Sequence, residues 1–442
     1  MSIDTDTVYD AVIVGGGIAG ITTAYLLRDQ HVLLLEQAER FGGRVESEPV
    51  GETINNIGTQ FFTEGDSSFV DLMDELGIER ITHDPKRVPF AFDIEGRFYP
   101  DTQSLVDFRV KLDMLRLSLR ALPKFLRFAR SPGSTRWDRL VAQNVVPLEK
   151  GLHATTKSLV RTYMRGTCLA KPERTSAGIG SGLMLGVLAT GEVAFVTGGF
   201  QQVTDRMRDA IGDRARCGVD VQQVEERDGL VHTHCRVEGR DVVVRSKYAV
   251  VATQAPVAAR LVPGMPEGKR QALQAVRYGP IIMVSVIFRR DVPWQRFLAL
   301  LSDDSEFQVV FDQTLDTPDD TPDNPLVCNF IVTQYPDERE QIDQLLALTD
   351  EELVTDVLSD FQRIIPVPAG ERVEDFVLET KVTRYPLGEI ELSPEYFTEQ
   401  LPHLATPVGN IHFAGTTPTT SRSWRAPCTA RSEWRGRWAA TT

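Results

Sequence analysis

Cysteine is sparse and unpaired in this sequence. Cys168, Cys217, Cys235, Cys328 and Cys428 are scattered, odd in number and never spaced as Cys-x-x-Cys. That disfavours a disulfide framework and a zinc site, and suits a reducing compartment. Long apolar runs are also lacking: none reaches the ~20 residues a membrane-spanning helix needs. The first ten residues, MSIDTDTVYD, are acidic and polar where a secretory signal would be basic and then apolar. A cytoplasmic protein is expected. Basic charge is in deficit, with 48 Lys+Arg against 62 Asp+Glu and a formal net charge of -14. Phosphate backbones demand a basic footprint, so no nucleic-acid partner is expected. His83, His153 and His403 are isolated, His232 and His234 alternate as sheet residues would, and His412 sits in an apolar run. No catalytic triad or acid–base set stands out, and no catalytic residue is assigned.

What remains is an ordinary globular composition, 42% hydrophobic and 25% charged over 442 residues. That length suggests two or three domains. Its first chemistry comes at once. Val8 to Val14 (VYDAVIV) reads as a buried parallel strand. Gly15-Gly16-Gly17-Ile18-Ala19-Gly20 follows, then an apolar helix through Leu27, then a second buried strand, His31 to Leu35, ending at Glu36. Strand, G-x-G-x-x-G, helix, strand and an acidic residue about 20 positions after the first glycine make a dinucleotide-binding fingerprint. Gly15 permits the tight turn, Gly17 the approach of a pyrophosphate, and Gly20 close packing of helix on sheet. The helix N-terminus at Ile18 and Ala19 faces the phosphates. Glu36, with Gln37 beside it, is placed to bind ribose hydroxyls and would repel a 2′-phosphate.

The following residues choose the dinucleotide. Arg40-Phe41-Gly42-Gly43-Arg44 resembles the second motif of the flavin amine oxidase superfamily, which includes monoamine and polyamine oxidases, protoporphyrinogen oxidase and phytoene desaturases. The resemblance implies FAD, with Gly43 close to it and Arg44 paired with its phosphates. Asn56-Ile57-Gly58-Thr59-Gln60-Phe61-Phe62 resembles the segment that passes the flavin ring, with Asn56 where the family usually has an acid. Val196 to Phe200, with a helix through Ala210, resembles the return to the cofactor domain. Cys217 to Val224 and Val231 to Val244 read as its strands, with Val221 facing adenine or packing in the core. Tyr248 to Thr253 reads as another buried strand. Asn410 to Gly415 resembles the last strand, ending with Gly415 and Thr416 beside the FAD.

The implied fold is α/β: a Rossmann-like FAD-binding domain built from discontinuous segments, plus an inserted α+β substrate-binding domain. The expected cofactor segments are 1–85, 196–258 and 405–442, and the expected substrate segments are 86–195 and 259–404. The implied function is FAD-dependent oxidation of a C–N or C–C bond of a small organic substrate, with dioxygen or another acceptor taking the electrons. The alternatives are a flavin-dependent isomerase or mutase, and a flavin-binding protein inactivated by its tail.

Four features qualify this expectation. C–N-oxidising members commonly carry a strand lysine that holds a water near the flavin. The matching run is Met283-Val284-Ser285-Val286-Ile287-Phe288, followed by Trp294, with Met283 at the lysine position. That points toward the protoporphyrinogen oxidase and desaturase side. Asp312 to Pro325 is acidic and Pro-rich and reads as an exposed loop. Phe108 to Arg130 reads as a basic amphipathic helix that Pro123 should break or kink. Such a helix can contact an anionic membrane surface or an acidic substrate; packing by one apolar face, with the charges solvated, is the preferred reading. Finally, the resemblance stops after Gly415, where a helix of the form E-G-A-x-x-S-G is expected. Read one nucleotide earlier, the codons of Thr416-Thr417-Pro418 permit Asp-Tyr-Thr, and those of Ser423 to Cys428 permit Glu-Leu-Glu-Gly-Ala-Val. A frame shift just after Gly415 accounts for the tail, a divergent tail being the alternative, and weakened FAD retention is expected of the chain as written.

Overall fold

The structure is a computed structural model that describes residues 3–63, 67–83, 89–130, 139–186, 193–314, 324–404 and 406–415. Thr416 and the rest of the tail, on which the frame-shift expectation falls, lie outside the described residues.

The opening strand Val8–Val14 lies between Val32–Leu35 and Arg240–Val251 and runs parallel to both. From Tyr9 onward its apolar side chains are buried, as parallel strands covered on both faces require. Ala215–Arg216 adds in parallel outside Val32–Leu35. On the other side, Arg240–Val251 pairs antiparallel with Leu230–Val237, which pairs antiparallel with Val219–Arg227. The far half of Arg240–Val251 also takes Ile411–Phe413 in parallel. One long strand therefore joins an antiparallel meander to a parallel dinucleotide-type core. The single strand expected over Val231 to Val244 is two strands, Leu230–Val237 and Arg240–Val251. Glu238 and Gly239, with φ of 48° and 77°, turn the chain between them, as a two-residue hairpin requires.

A second sheet has the strand order Val377–Ile390, Tyr278–Phe288, Leu326–Thr333, Phe307–Asp312, Ala299–Ser302, Phe90–Ile94, Arg97–Tyr99. All its pairings are antiparallel except that of Ala299–Ser302 with Phe90–Ile94. Alternation along Tyr278–Phe288 sets its two faces. Ile282, Val284, Val286 and Phe288 pack into an apolar core with Leu353, Val357 and Phe361 of the helix Asp350–Ile364. Ile281, Met283 and Ser285 point to the opposite side. A hairpin, Ser47–Val50 with Thr53–Asn56, connects the two sheets through polar contacts described below.

Two further expectations are corrected. Asp312, Gln313, Thr314 and Asn324 are buried rather than in an exposed loop. Asp312 ends a strand and accepts from Arg296 at 2.8 Å, which satisfies its charge inside the fold; residues 315–323 lie outside the described set. The helix Phe108–Arg130 runs through Pro123 without a break. Pro123 is on an exposed face, so the carbonyl it leaves without an intrahelical donor can face water. None of the described helices is long and apolar enough to cross a membrane.

Candidate active site

The glycine turn sits at the carboxyl ends of three parallel strands. The amide of Gly15 donates to Leu35 O at 2.8 Å, that of Ala252 to Val14 O at 2.7 Å, and that of Ala414 to Val251 O at 3.0 Å. Ligands bind in open α/β sheets at such a crevice. Gly15 holds a φ of 102°, and Gly42, which donates to Gly16 O at 2.9 Å, holds 116°; both are conformations that disfavour a side chain. Gly20 is buried beneath the turn, where a Cβ would come within 1.8 Å of Gly15 O. Gly17 differs: a Cβ there would meet nothing within 4 Å, because the residue faces open space.

That space is a single cavity of about 1460 Å³. It exceeds the ~300–1,000 Å³ of an ordinary small-molecule site. Its described lining brings together Gly15, Gly17, Ile18, Ala19, Glu36, Gln37, Gly43, Arg44, Gly58, Thr59, Gln60, Phe61, Val221 and Gly415. Of the residues expected at the cofactor, Gly20 does not line it and Thr416 is not described. Val221 lines the cavity and also packs on the sheet core. Glu36 accepts from the amides of Gly16 at 2.5 Å and Ala38 at 2.8 Å, which fixes its carboxylate at the strand end. Arg40 is bound within its own loop, donating to Gly43 O at 2.8 Å and pairing with Glu46. Arg44 reaches into the cavity and donates to Gly388 O. An open glycine at a helix N-terminus, an acidic residue ending the second strand and an arginine opposite form a donor and acceptor set that fits FAD.

The other end of the cavity is contributed by the second sheet and the helix Ala154–Cys168. Leu169, Ile281, Phe311, Ile331 and Ile390 give it apolar surface, and Tyr278 and Tyr385 add aromatic rings. The phenol of Tyr385 donates to Glu46 at 3.1 Å, and burial together with that carboxylate pushes its ionisation well up. Burial also pushes the Cys168 thiol up to about 12, so this lining cysteine is a thiol and not a thiolate at neutral pH. Burial raises the Glu389 carboxyl as well, with Arg44 opposing. Leu169 caps the helix with a φ of 48°, left-handed for a bulky residue, and its side chain faces the cavity. Such strain costs about 1–2 kcal/mol and is retained where the surroundings enforce it. None of the described lining residues is a lysine. Met283 is buried on the same strand face as the lining residue Ile281 but does not itself line the cavity.

Sequence reasoning missed this wall. Ile281, Phe311 and Ile331 look like any other strand residues, and only tertiary pairing makes them lining. It also missed the polar junction behind Gln60. Asn329 Nδ2 is 2.8 Å from Asn55 Oδ1, 2.8 Å from Asn56 O and 3.3 Å from Gln60 Oε1. Asn329 Oδ1 accepts from Ser285 Oγ at 2.7 Å, and Gln313 Nε2 donates to Gln60 Oε1 at 2.8 Å. All these side chains are buried, and they join the hairpin to the second sheet. The junction also explains why Asn56 departs from the acid of the resemblance. Its Oδ1 accepts from Ser47 Oγ and Phe200 N, as a carboxylate could, but its Nδ2 donates to Gln313 Oε1 at 3.0 Å, as a carboxylate could not.

Comparison with known proteins agrees with this arrangement. A family model described as flavin containing amine oxidoreductase matches residues 18–425. The flavin-containing amine oxidase B of Sus scrofa is 23% identical over 457 residues, covering 93% of this chain and 82% of the relative. Among solved structures, a redesigned triple variant of putrescine oxidase matches with a TM-score of 0.77 at 20% identity, covering 97% of this chain and 99% of that one. Cyclohexylamine oxidase from Brevibacterium oxydans matches at 0.72 and 18% identity, covering 97% and 100%. A fatty acid isomerase from P. acnes matches at 0.71 and 14% identity, covering 98% of each chain. At such identities the structures establish the fold alone. The extent of the family match carries the assignment: the chain belongs to the flavin-containing amine oxidoreductases and is an FAD-dependent oxidoreductase.

Proposed function

We infer that the enzyme removes a hydride from a small, largely apolar organic molecule, at a C–N or a C–C bond, with dioxygen or another acceptor completing the cycle. The carrying observation is the single cavity that runs from the glycine turn to a wall of Leu, Ile, Phe and Tyr side chains. FAD, when bound, supplies the hydride acceptor, and the protein supplies orientation and electrostatics. Gly15, Gly17, Ile18, Ala19, Glu36, Gln37, Gly43, Arg44, Val221 and Gly415 would hold it. Gly58, Thr59, Gln60 and Phe61 would position the reacting end against the substrate wall. Within this reading, C–C oxidation is favoured over C–N oxidation by Met283 at the lysine position and by a described lining without lysine.

The division of labour along the chain is part of the same proposal. Residues 1–85, 196–258 and 405–442 would form the cofactor domain, and 86–195 with 259–404 the substrate domain. It is supported by a first sheet drawn from 8–35, 215–251 and 411–413, and a second drawn from 90–99 and 278–390. An isomerase that returns the electrons to the same molecule would use the same cavity, and the likeness to a fatty acid isomerase fold makes it the second reading.

The test is an absorption spectrum of the purified, FAD-loaded protein, followed by anaerobic mixing with candidate substrates. Bleaching of the flavin by porphyrinogens or other molecules with oxidisable C–C bonds, and not by amines, is expected. Rapid bleaching by primary amines alone would overturn the C–C preference. Turnover without oxygen consumption or any other net electron acceptor would replace oxidation with isomerisation.

A further inference from the structure

Eight large apolar side chains are exposed among the described residues, and five of them stand on one helix face. They are Phe108, Leu112, Leu115, Leu119 and Leu122 of Phe108–Arg130, with Phe108 79%, Leu119 70% and Leu115 57% exposed. The steps of four, three, four and three place them in one stripe along the helix. This stripe is not the face by which the helix packs. Val110, Met114, Leu117 and Ala121 are buried in the apolar core on the opposite side. Asp113 pins that inner side, accepting from His153 N at 2.7 Å and from Thr156 Oγ1 at 3.2 Å. The expectation of a single apolar face with solvated charges therefore covers only half of the helix. Isolated apolar residues on a surface are normal, whereas a continuous stripe marks an interaction site.

Charge indicates what covers it. Arg109, Arg116, Arg120 and Arg127 stand along one side of the stripe and Lys111 along the other, with Arg116 also paired to Asp113 at 3.0 Å and Arg120 donating to Lys150 O at 2.5 Å, while the whole chain carries a formal -14. Asp113, the only acid in the helix, is turned inward. A second copy docking stripe to stripe would set these cations against themselves. We propose that this face is a docking surface for an anionic lipid bilayer, with the Phe and Leu side chains entering the acyl boundary and the Arg and Lys side chains reaching to the headgroups on either side. A helix with an apolar stripe, cationic flanks and a packed rear face has the chemistry of an interfacial anchor. The inference is independent of the substrate reading, because it rests on a surface outside the cavity.

The test is co-sedimentation of the full chain with vesicles of phosphatidylglycerol mixed with phosphatidylcholine, and with phosphatidylcholine alone. Partitioning at least about ten-fold stronger onto the anionic vesicles, weakened by high salt, is expected. L115S/L119S should melt like the parent and partition about ten-fold more weakly. R109Q/K111Q/R127Q should abolish the preference for anionic lipid, which gives a second reading should the serine pair not fold. No vesicle binding, or equal binding by folded variants of both kinds, would overturn the proposal. So would a lipid-free dimer, seen by light scattering, that L115S/L119S dissolves.

Discussion

Gly17 and Gly20 lie three residues apart in one motif, yet the structure assigns them different work, and alanine at each should separate folding from cofactor binding. At Gly17, φ and ψ of -65° and 174° suit any residue, and an added Cβ meets no protein atom within 4 Å. Gly17→Ala should therefore leave the apoprotein as stable as the parent, or more so by about 0.4–1 kcal/mol through loss of unfolded-chain entropy. The methyl would instead stand where the pyrophosphate has to approach. FAD affinity should fall ten-fold or more, which is about 1.4 kcal/mol. At Gly20 the Cβ would lie 1.8 Å from Gly15 O. Helix and turn would have to separate by more than an ångström, at an overpacking cost of about 2–3 kcal/mol. Calorimetric melting of both apoproteins and titration with FAD measure the two effects. If Gly17→Ala binds FAD like the parent, or Gly20→Ala melts like the parent, the division of roles is wrong.

Two more perturbations probe the polar interior. Asn329→Leu should destabilise by about 2–4 kcal/mol, since it leaves buried acceptors on Asn55 and Asn56 without their donor; a urea midpoint equal to the parent's would show that the junction carries no stability. Asp113 is raised by burial but lowered further by the amide of His153, by Arg116 and by Thr156, so its folded carboxyl lies below the ordinary 3.8. Its contribution should be complete above that ordinary value and disappear as pH falls through the depressed native one. Asp113→Ala should lower the melting temperature at neutral pH and narrow its difference from the parent in strong acid, where equal gaps at both pH values would refute the assignment.

The opening turn was legible because every part of it lies within about thirty residues and each glycine has a local steric reason. The hairpin at Glu238–Gly239 is equally local, but a single glycine is a weak signal between Val237 and the run Val242 to Val244, which together read as one strand. The substrate wall had no such signal. Phe311 and Ile331 become lining residues through strand pairings that sequence periodicity does not specify. The Asn55–Asn329 contact joins residues 274 positions apart, and isolated asparagines announce no partner. The second stripe of Phe108–Arg130 was hidden for a different reason. A helix apolar on two sides scores like a broad single face until burial separates Leu117 from Leu119.

The shared strand Arg240–Val251 also bears on how the protein is made. Val8–Val14 has its partner there and Ile411–Phe413 arrives later still, so the parallel core must wait for most of the polypeptide to leave the ribosome. Until then Val8–Val14 can pair only with Val32–Leu35, its other apolar edge has nothing to pair with, and loop closure over such separations is slow. Synthesis in the cell should consequently depend on chaperones that shield those early strands, and the yield of native enzyme should rise when translation is slowed or cooled.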